Sequence, residues 1–560
     1  MRTRIGAVLV LGLSIAVSGV AAQPQPQRVT ITVLATTDMH GFIYPHDYLT
    51  GKPAPRGLAA AATLIEQVRR DTPHVVLVDG GDTIQGSTLE GVHQAAVRAG
   101  TTDASDPMMR AMNALGYDAM VVGNHEFNFG LKNLQAAREA ARFPWLSANT
   151  DTGGVLPAFA PFIEKVVGGV RVAIIGVTTS SVPEWEKPDT IRGFSWSSPV
   201  EGVARALAQL GPERPDVIVV VAHSGLGRDP ASGEVRPGEN AVWQIAERFP
   251  QVAAVIYGHS HQRQEGLRVG NVLLVQPRNW AQEVARLDIT LAREGGDGRW
   301  AVVGRTSRLL PVTPATPASP EILALARPYH EAAERYLDQP VAESAAELSG
   351  ARGRFEDSAL LDAIHVVQMH YAKAPVSFAS LFMPQVRIPK GPVSVRQLAA
   401  LYLYDNELYA IETDGRTVHA ALENAARYFR TCPEPTCSMG PLIDDNIRGY
   451  NYDTVQGLDY EIDLNRPVGQ RVVNLRYRGA PLRDDEPLRV AVNNYRAAGS
   501  NGYAMFRVGK IVWRSGREIR DLMVEYFGER KRLPDKADGN WRLLPPRAVE
   551  TLASEAAAVR

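Results

Sequence analysis

The sequence predicts an α/β protein built as two layered domains. Its 560 residues amount to several times an ordinary domain, so more than one core is expected. The first half alternates short apolar runs with amphipathic stretches, the pattern of an α/β layer. Pro311, Pro314, Pro317 and Pro320 then interrupt it at a density that no helix interior or central strand tolerates, which marks a boundary.

In order along the chain, strands are expected over Val29–Ala35, His74–Val78, Asp118–Val122, Val170–Val177, Asp216–Ala222 and Ala253–Tyr257. Leu58–Arg70 and Leu131–Ala141 read as helices. Asp288–Leu291 and Trp300–Leu309 read as a closing hairpin around Gly295, Gly296 and Gly298. Glu321–Leu337 reads as a helix able to bridge two domains. Ala359–Tyr371, Leu398–Tyr404, Thr417–Tyr428, Leu458–Leu464 and Leu488–Val492 then supply the apolar segments of a second core. The expected division is a leader over 1–22, a first domain over 28–310, a linker with bridging helix over 311–339, and a second domain over 340–546.

Composition narrows the function classes. Sixty basic residues balance 61 acidic ones, so charge gives no reason to expect a nucleic-acid polymer or an anionic membrane as partner. Two cysteines exclude a disulfide-rich scaffold and a zinc site of three or four thiolates. Arg2 and Arg4 precede an apolar run from Ile5 to Val20, and small residues end it at Ala22, the order of a secretory signal. A periplasmic or secreted chain, with no membrane association once the leader is cleaved, is therefore expected. There a disulfide between Cys432 and Cys437 is permitted.

The chemistry lies just after the strands. Successive apolar runs end in Asp38-Met39-His40, in Gly80-Gly81-Asp82, in Gly123-Asn124-His125-Glu126, in His223, and in Gly258-His259-Ser260-His261. In an open α/β layer that carboxyl edge is where sites form. Carboxylate, amide oxygen and imidazole suit divalent Mn, Fe, Co, Ni or Zn, and the donors suffice for two ions. One carboxylate must then bridge them, and Asp82, central in the set, is the choice. Two ions about 3.5–4 Å apart clamp a phosphoryl group and acidify water.

This set resembles the calcineurin-type dinuclear metallophosphoesterases. The second half resembles the carboxy-terminal domain of the secreted 5′-nucleotidase and 2′,3′-cyclic-nucleotide phosphodiesterase group. The resemblance implies αββα layers followed by an α/β nucleotide-binding domain. It also implies one ion on Asp38, His40, Asp82 and His261, and the other on Asp82, Asn124, His223 and His259. His125 would stabilise the transition state. Many relatives carry Asp three residues after that histidine, where this chain has Asn128. A neutral amide holds the ring but stabilises its cation less.

For the substrate, the resemblance implies a nucleobase between Tyr452 and Tyr495, with Arg387 near the phosphate. Asn501, in Gly499-Ser500-Asn501-Gly502, stands where 5′-nucleotidases usually carry Asp. With Leu401–Asn406, this favours a 2′,3′-cyclic-nucleotide 2′-phosphodiesterase/3′-nucleotidase acting as a monomer. The alternatives are a 5′-nucleotidase or nucleoside-diphosphate-sugar hydrolase, a thiosulfonate hydrolase on the same metal domain, and a non-catalytic nucleotide binder.

Overall fold

The computed structural model describes residues 27–558 other than 213, 231, 236–238, 294–297, 405, 434–436 and 438–440. The expected leader therefore lies outside the described residues, as do Asp405 and the hairpin glycines Gly295 and Gly296.

Residues 27–311 form two six-stranded sheets packed face to face. The first runs in the order Ala301–Pro311, Glu283–Arg293, Gln27–Thr36, Val75–Asp79, Ala119–Val121, Trp145–Leu146. The second runs Gln264–Val269, Val272–Gln276, Ala254–Tyr257, Val217–His223, Val170–Thr178, Phe162–Val167. The strands that carry the motifs pair in parallel. Ile31, Val33, Val76 and Val121 of the first sheet share one core with Val172, Ile174, Val219 and Ile256 of the second. The alternate residues face outer helices, so these strands are buried on both faces, which is why they read as near-continuous Val, Ile and Ala runs. Helix ends carry their expected chemistry. In the helix Pro107–Leu115, Asp106 accepts from the Met109 amide, proline occupies the first turn, and Gly116 closes the end with a left-handed φ of 63°.

The helix Pro320–Leu337 starts where the proline cluster ends, with Pro320 in its first turn. Its buried stripe of Ile322, Ala326, Tyr329, Ala333 and Leu337 joins the first-half core beside Leu58, Leu89 and Met109. The expected bridge is thus docked along the first half and meets the second half at its end. There Arg396 donates to Glu334 and Asp338, at 2.9 Å each, and to the Tyr48 carbonyl.

The second half is built on a five-stranded sheet in the order Asp453–Gln456, Val376–Ser380, Pro487–Asn493, Glu407–Asp414, Lys510–Glu518. Val376, Phe378, Val490 and Val492 face the helix Gly415–Ala426. The intervening Ala379 and Ala491 face the helices Ala359–Ala372 and Ile519–Arg530, the period of two expected of a covered sheet. A smaller four-stranded sheet flanks it, and Cys432 and Cys437 are joined by a disulfide.

Candidate metal centre and substrate cleft

Every expected donor sits at the carboxyl edge of the double sheet. Asp38, His40 and His261 offer ligand atoms within 4.8 Å of one another, and Asp82, His223 and His259 form a second such group. Each group takes residues from both sheets. Asn124 joins the second, its Oδ1 lying 3.0 Å from His223 Nε2.

The backbone here is unusual. Asp38, His40, Asp82, His259 and His261 all adopt left-handed φ, between 49° and 70°, a conformation that costs a non-glycine residue energy and clusters at functional sites. Close approach needs glycine at two neighbours. A Cβ on Gly258 would press within 2.5 Å of Asp38 Oδ2, and one on Gly123 would overlap Asp82 Oδ1.

The hydrogen bonds show that the pocket fits cations. His40 Nδ1 faces the Gln85 carbonyl at 3.0 Å, and His223 Nδ1 faces that of Gly80 at 2.8 Å. A carbonyl only accepts, so both rings donate there and turn the Nε2 lone pair inward. His40 Nε2 then meets His261 Nε2 at 3.0 Å, and His223 Nε2 meets Asp82 Oδ2 at 3.0 Å. Imidazole nitrogens and carboxylate oxygens converging in this way call for positive charge, a proton or a cation, between them. The titration of His223 reflects the same demand. Burial alone would lower its pKa, but Asp82, with Asp38 and Glu126 behind it, pushes it up to about 10. His40 goes the other way, pushed down to about 4 by burial and by His261. Asp82 is held well below the carboxylate range: burial raises it, and His223 and His125 outweigh that.

A further layer holds these donors. Asp38 accepts from the His259 amide at 2.9 Å, which ties the two sheets together. Glu126, buried, accepts from the amides of Asp82, Thr83 and Gly123 at 2.9, 2.6 and 2.6 Å and so locks the loop after Val75–Asp79 to the loop after Ala119–Val121. His125 donates its amide to Asp82 Oδ1 at 2.8 Å. Its ring Nδ1 lies 2.7 Å from Asn128 Oδ1, and its Nε2 lies 4.0 Å from Asp82 Oδ2.

Asp82, His125, His259 and His261 open into a cleft of ≈ 1280 Å³ between the two halves, and Tyr495 and Arg514 line its far side. Tyr495 is 55% exposed. Tyr452 departs from expectation. It is 1% exposed, lies stacked on Tyr428 at 5.0 Å, and offers no face to a base. The strand Asp453–Gln456 that follows draws it into the core, and the exposed ring of this segment is Tyr450 instead, at 40%. The buried pair Arg496–Asp453, at 2.7 Å, joins the two segments, since Arg496 also donates to the Tyr450 carbonyl. Arg387 and Asn501 lie outside the cleft. Arg387 is exposed beside Glu347 at 3.7 Å, and Asn501 sits on a turn with a φ of 57°.

Glu126, Gln85, Trp185 and Glu186 were not singled out as site residues from the sequence. Glu126 belongs to the Gly123–Glu126 motif. Trp185 and Glu186 follow the strand Val170–Thr178, whose end carries none of the expected site residues. Their helix Val182–Trp185 sets Trp185 5.3 Å from the His259 ring and leaves Glu186 against Asn128.

Fold and site together define a metal-dependent phosphoester hydrolase. Residues 31–263 match the calcineurin-like phosphoesterase family and residues 339–507 match the 5′-nucleotidase C-terminal domain, so the chain joins a calcineurin-like phosphoesterase domain to a 5′-nucleotidase C-terminal domain. It is 28% identical to the trifunctional nucleotide phosphoesterase protein YfkN of Bacillus subtilis over 97% of its own length, but spans only 41% of that protein. It is 28% identical to a 2′,3′-cyclic-nucleotide 2′-phosphodiesterase/3′-nucleotidase of Haemophilus influenzae, covering 92% of this chain and 88% of the relative. Among solved structures, a 5′-nucleotidase precursor of Thermus thermophilus superposes with a TM-score of 0.60 at 25% identity, covering 92% of this chain and all of the other. Among the described residues, no helix is long and apolar enough to cross a membrane.

Proposed function

We propose that the chain hydrolyses nucleotides, opening 2′,3′-cyclic phosphates at the 2′ ester and then releasing the 3′-phosphate. The observation that carries this is the cleft in which two cation-fitting donor groups face an exposed tyrosine of the other half. The residues that would hold two divalent ions are Asp38, His40 and His261, and Asn124, His223 and His259, with Asp82 shared. When bound, the ions supply positive charge to the phosphoryl oxygens and acidify water. The protein does the rest. Tyr495 gives a flat face on which any base can stack, worth about 1–3 kcal/mol. His125, held through Nδ1, presents Nε2 beside Asp82, where it can hold a proton for the departing ester oxygen. In the first step water adds across the P–O2′ bond, leaving a 3′-phosphate and a free 2′-hydroxyl. In the second, water releases inorganic phosphate.

The residues that would hold the ions and Tyr495 sit on different halves, which favours a working cycle in which the halves rotate about the segment 311–339. The leader and the Cys432–Cys437 disulfide favour an exported protein. A 5′-nucleotidase is the second reading, favoured by the fold shared with the Thermus thermophilus protein. A panel of 2′,3′-cyclic AMP, 3′-AMP, 5′-AMP and a non-nucleotide ester, assayed with Mn²⁺ and with chelator, tests both. Turnover of 5′-AMP alone would remove the first reading, and metal-independent turnover would remove both.

A further inference from the structure

We propose that Glu186 is a positioning residue for His125, acting through Asn128. This deepens the proposed function and rests on the role given there to His125.

Asn128 has a problem that aspartate would not have. The two oxygens of a carboxylate are equivalent, whereas an amide turned by 180° presents its NH₂ in place of its oxygen. The ring needs the oxygen. With Oδ1 at 2.7 Å, His125 Nδ1 donates and Nε2 is directed to the cleft. With the NH₂ there, Nδ1 would have to accept, and the ring's proton would be confined to Nε2. Nothing in Asn128 itself selects between the two states.

Glu186 selects. Its Oε1 lies 2.5 Å from Asn128 Nδ2. An ionised carboxylate only accepts, so this contact admits the NH₂ and rejects the carbonyl oxygen. Glu186 is 7% exposed and caps the short helix Val182–Trp185, its own amide donating to the Val182 carbonyl, so its backbone is fixed. The result is a chain from Glu186 to Asn128 to His125 that delivers, across one intervening amide, the negative charge that an aspartate at position 128 would supply directly. Burial keeps the Glu186 acid up, at about 7, so the chain is complete above that pH.

The test uses the full chain loaded with Mn²⁺ at about pH 8, with kcat, KM, metal content and melting temperature measured for each variant. Glu186→Ala should lower kcat about tenfold or more, with KM within about twofold and metal content unchanged. Asn128→Asp alone sets two carboxylates against each other and should also lose turnover. The double variant N128D/E186Q exchanges the carboxylate and the amide while keeping charge and hydrogen bond, and it should recover most of the kcat lost by either single change. If Glu186→Ala keeps its kcat, or loses it only in proportion to metal, the proposal is overturned. A double variant no better than the worse single also overturns it, and it decides the matter should Glu186→Ala fail to fold. His125→Ala separates the two levels. Full turnover there removes the role of His125, whereas loss there with an intact Glu186→Ala removes only that of Glu186.

Discussion

At the scale of single residues, neighbours in sequence have opposite fates. Tyr450 and Tyr452 stand two apart, yet one ring is exposed and the other is stacked inside the second core. Substitutions of the buried Tyr452 and the exposed Tyr495 should separate cleanly. Tyr452→Ala opens a buried cavity and should cost about 3–5 kcal/mol of stability. Tyr495→Ala should leave the melting temperature nearly unchanged and raise KM for a nucleotide, by the ~1–3 kcal/mol of one lost stacking face, while sparing a non-nucleotide ester. Thermal melts and Michaelis curves on both variants check this. Gly258 is the complementary case, a residue with no side chain whose emptiness matters. Gly258→Ala should drive Thr37 and Asp38 apart and weaken metal affinity about 10–100-fold, read by titration of the metal-free protein. The donors were legible in the sequence because each follows an apolar run. The orientation of Tyr452 was not, because a tight helical turn over Gly449–Asn451 breaks the alternation just before the strand Asp453–Gln456 and sends the two rings to different sides.

At the scale of elements, the parallel strands around the site were legible and the antiparallel margins were less so. Val217–His223 is sealed on both faces and reads as an unbroken apolar run. Phe162–Val167 and Gln264–Val269, at the sheet edges, carry Glu164, Lys165, Glu265 and Arg268, and are not among the strands expected from the sequence. The start of the helix Ala359–Ala372 makes a titration prediction. Asp362 lies with Asp357 and Asp538 in a group whose carboxylate oxygens are within 4.8 Å of one another. Burial, and then repulsion from these two neighbours, pushes Asp362 up to about 7. The folded chain thus keeps a proton that the unfolded chain releases near 3.8. Stability should therefore fall as pH rises between these values and level off above them. Urea midpoints at pH 5 and pH 8 should show the decline, and Asp362→Asn should flatten it.

At the scale of the whole molecule, two halves meet over a cleft, with Val395 of the second half buried in the first-half core. Arg396 is a further tie, joining the second half to both Tyr48 and the helix Pro320–Leu337. Arg396→Ala should broaden the distribution of interdomain distances in solution scattering and lower stability by about 1–3 kcal/mol, since Glu334 would lose a charged partner. The four prolines fall between the strand Ala301–Pro311 and the helix Pro320–Leu337. The side to which the following helix belongs was not legible, because an amphipathic stripe shows that a helix is covered without showing by what.

Each donor triplet draws on both sheets, so an occupied centre works as a pair of rivets through the rim of the double layer. Ligation to the folded form alone adds RT ln(1 + [L]/Kd), about 2.7 kcal/mol at a hundredfold excess. Stripping the ions should therefore do more than silence the enzyme. Deuterium uptake should rise first at residues 37–41, 81–86 and 258–261, so that metal supply governs the protein's endurance as well as its turnover.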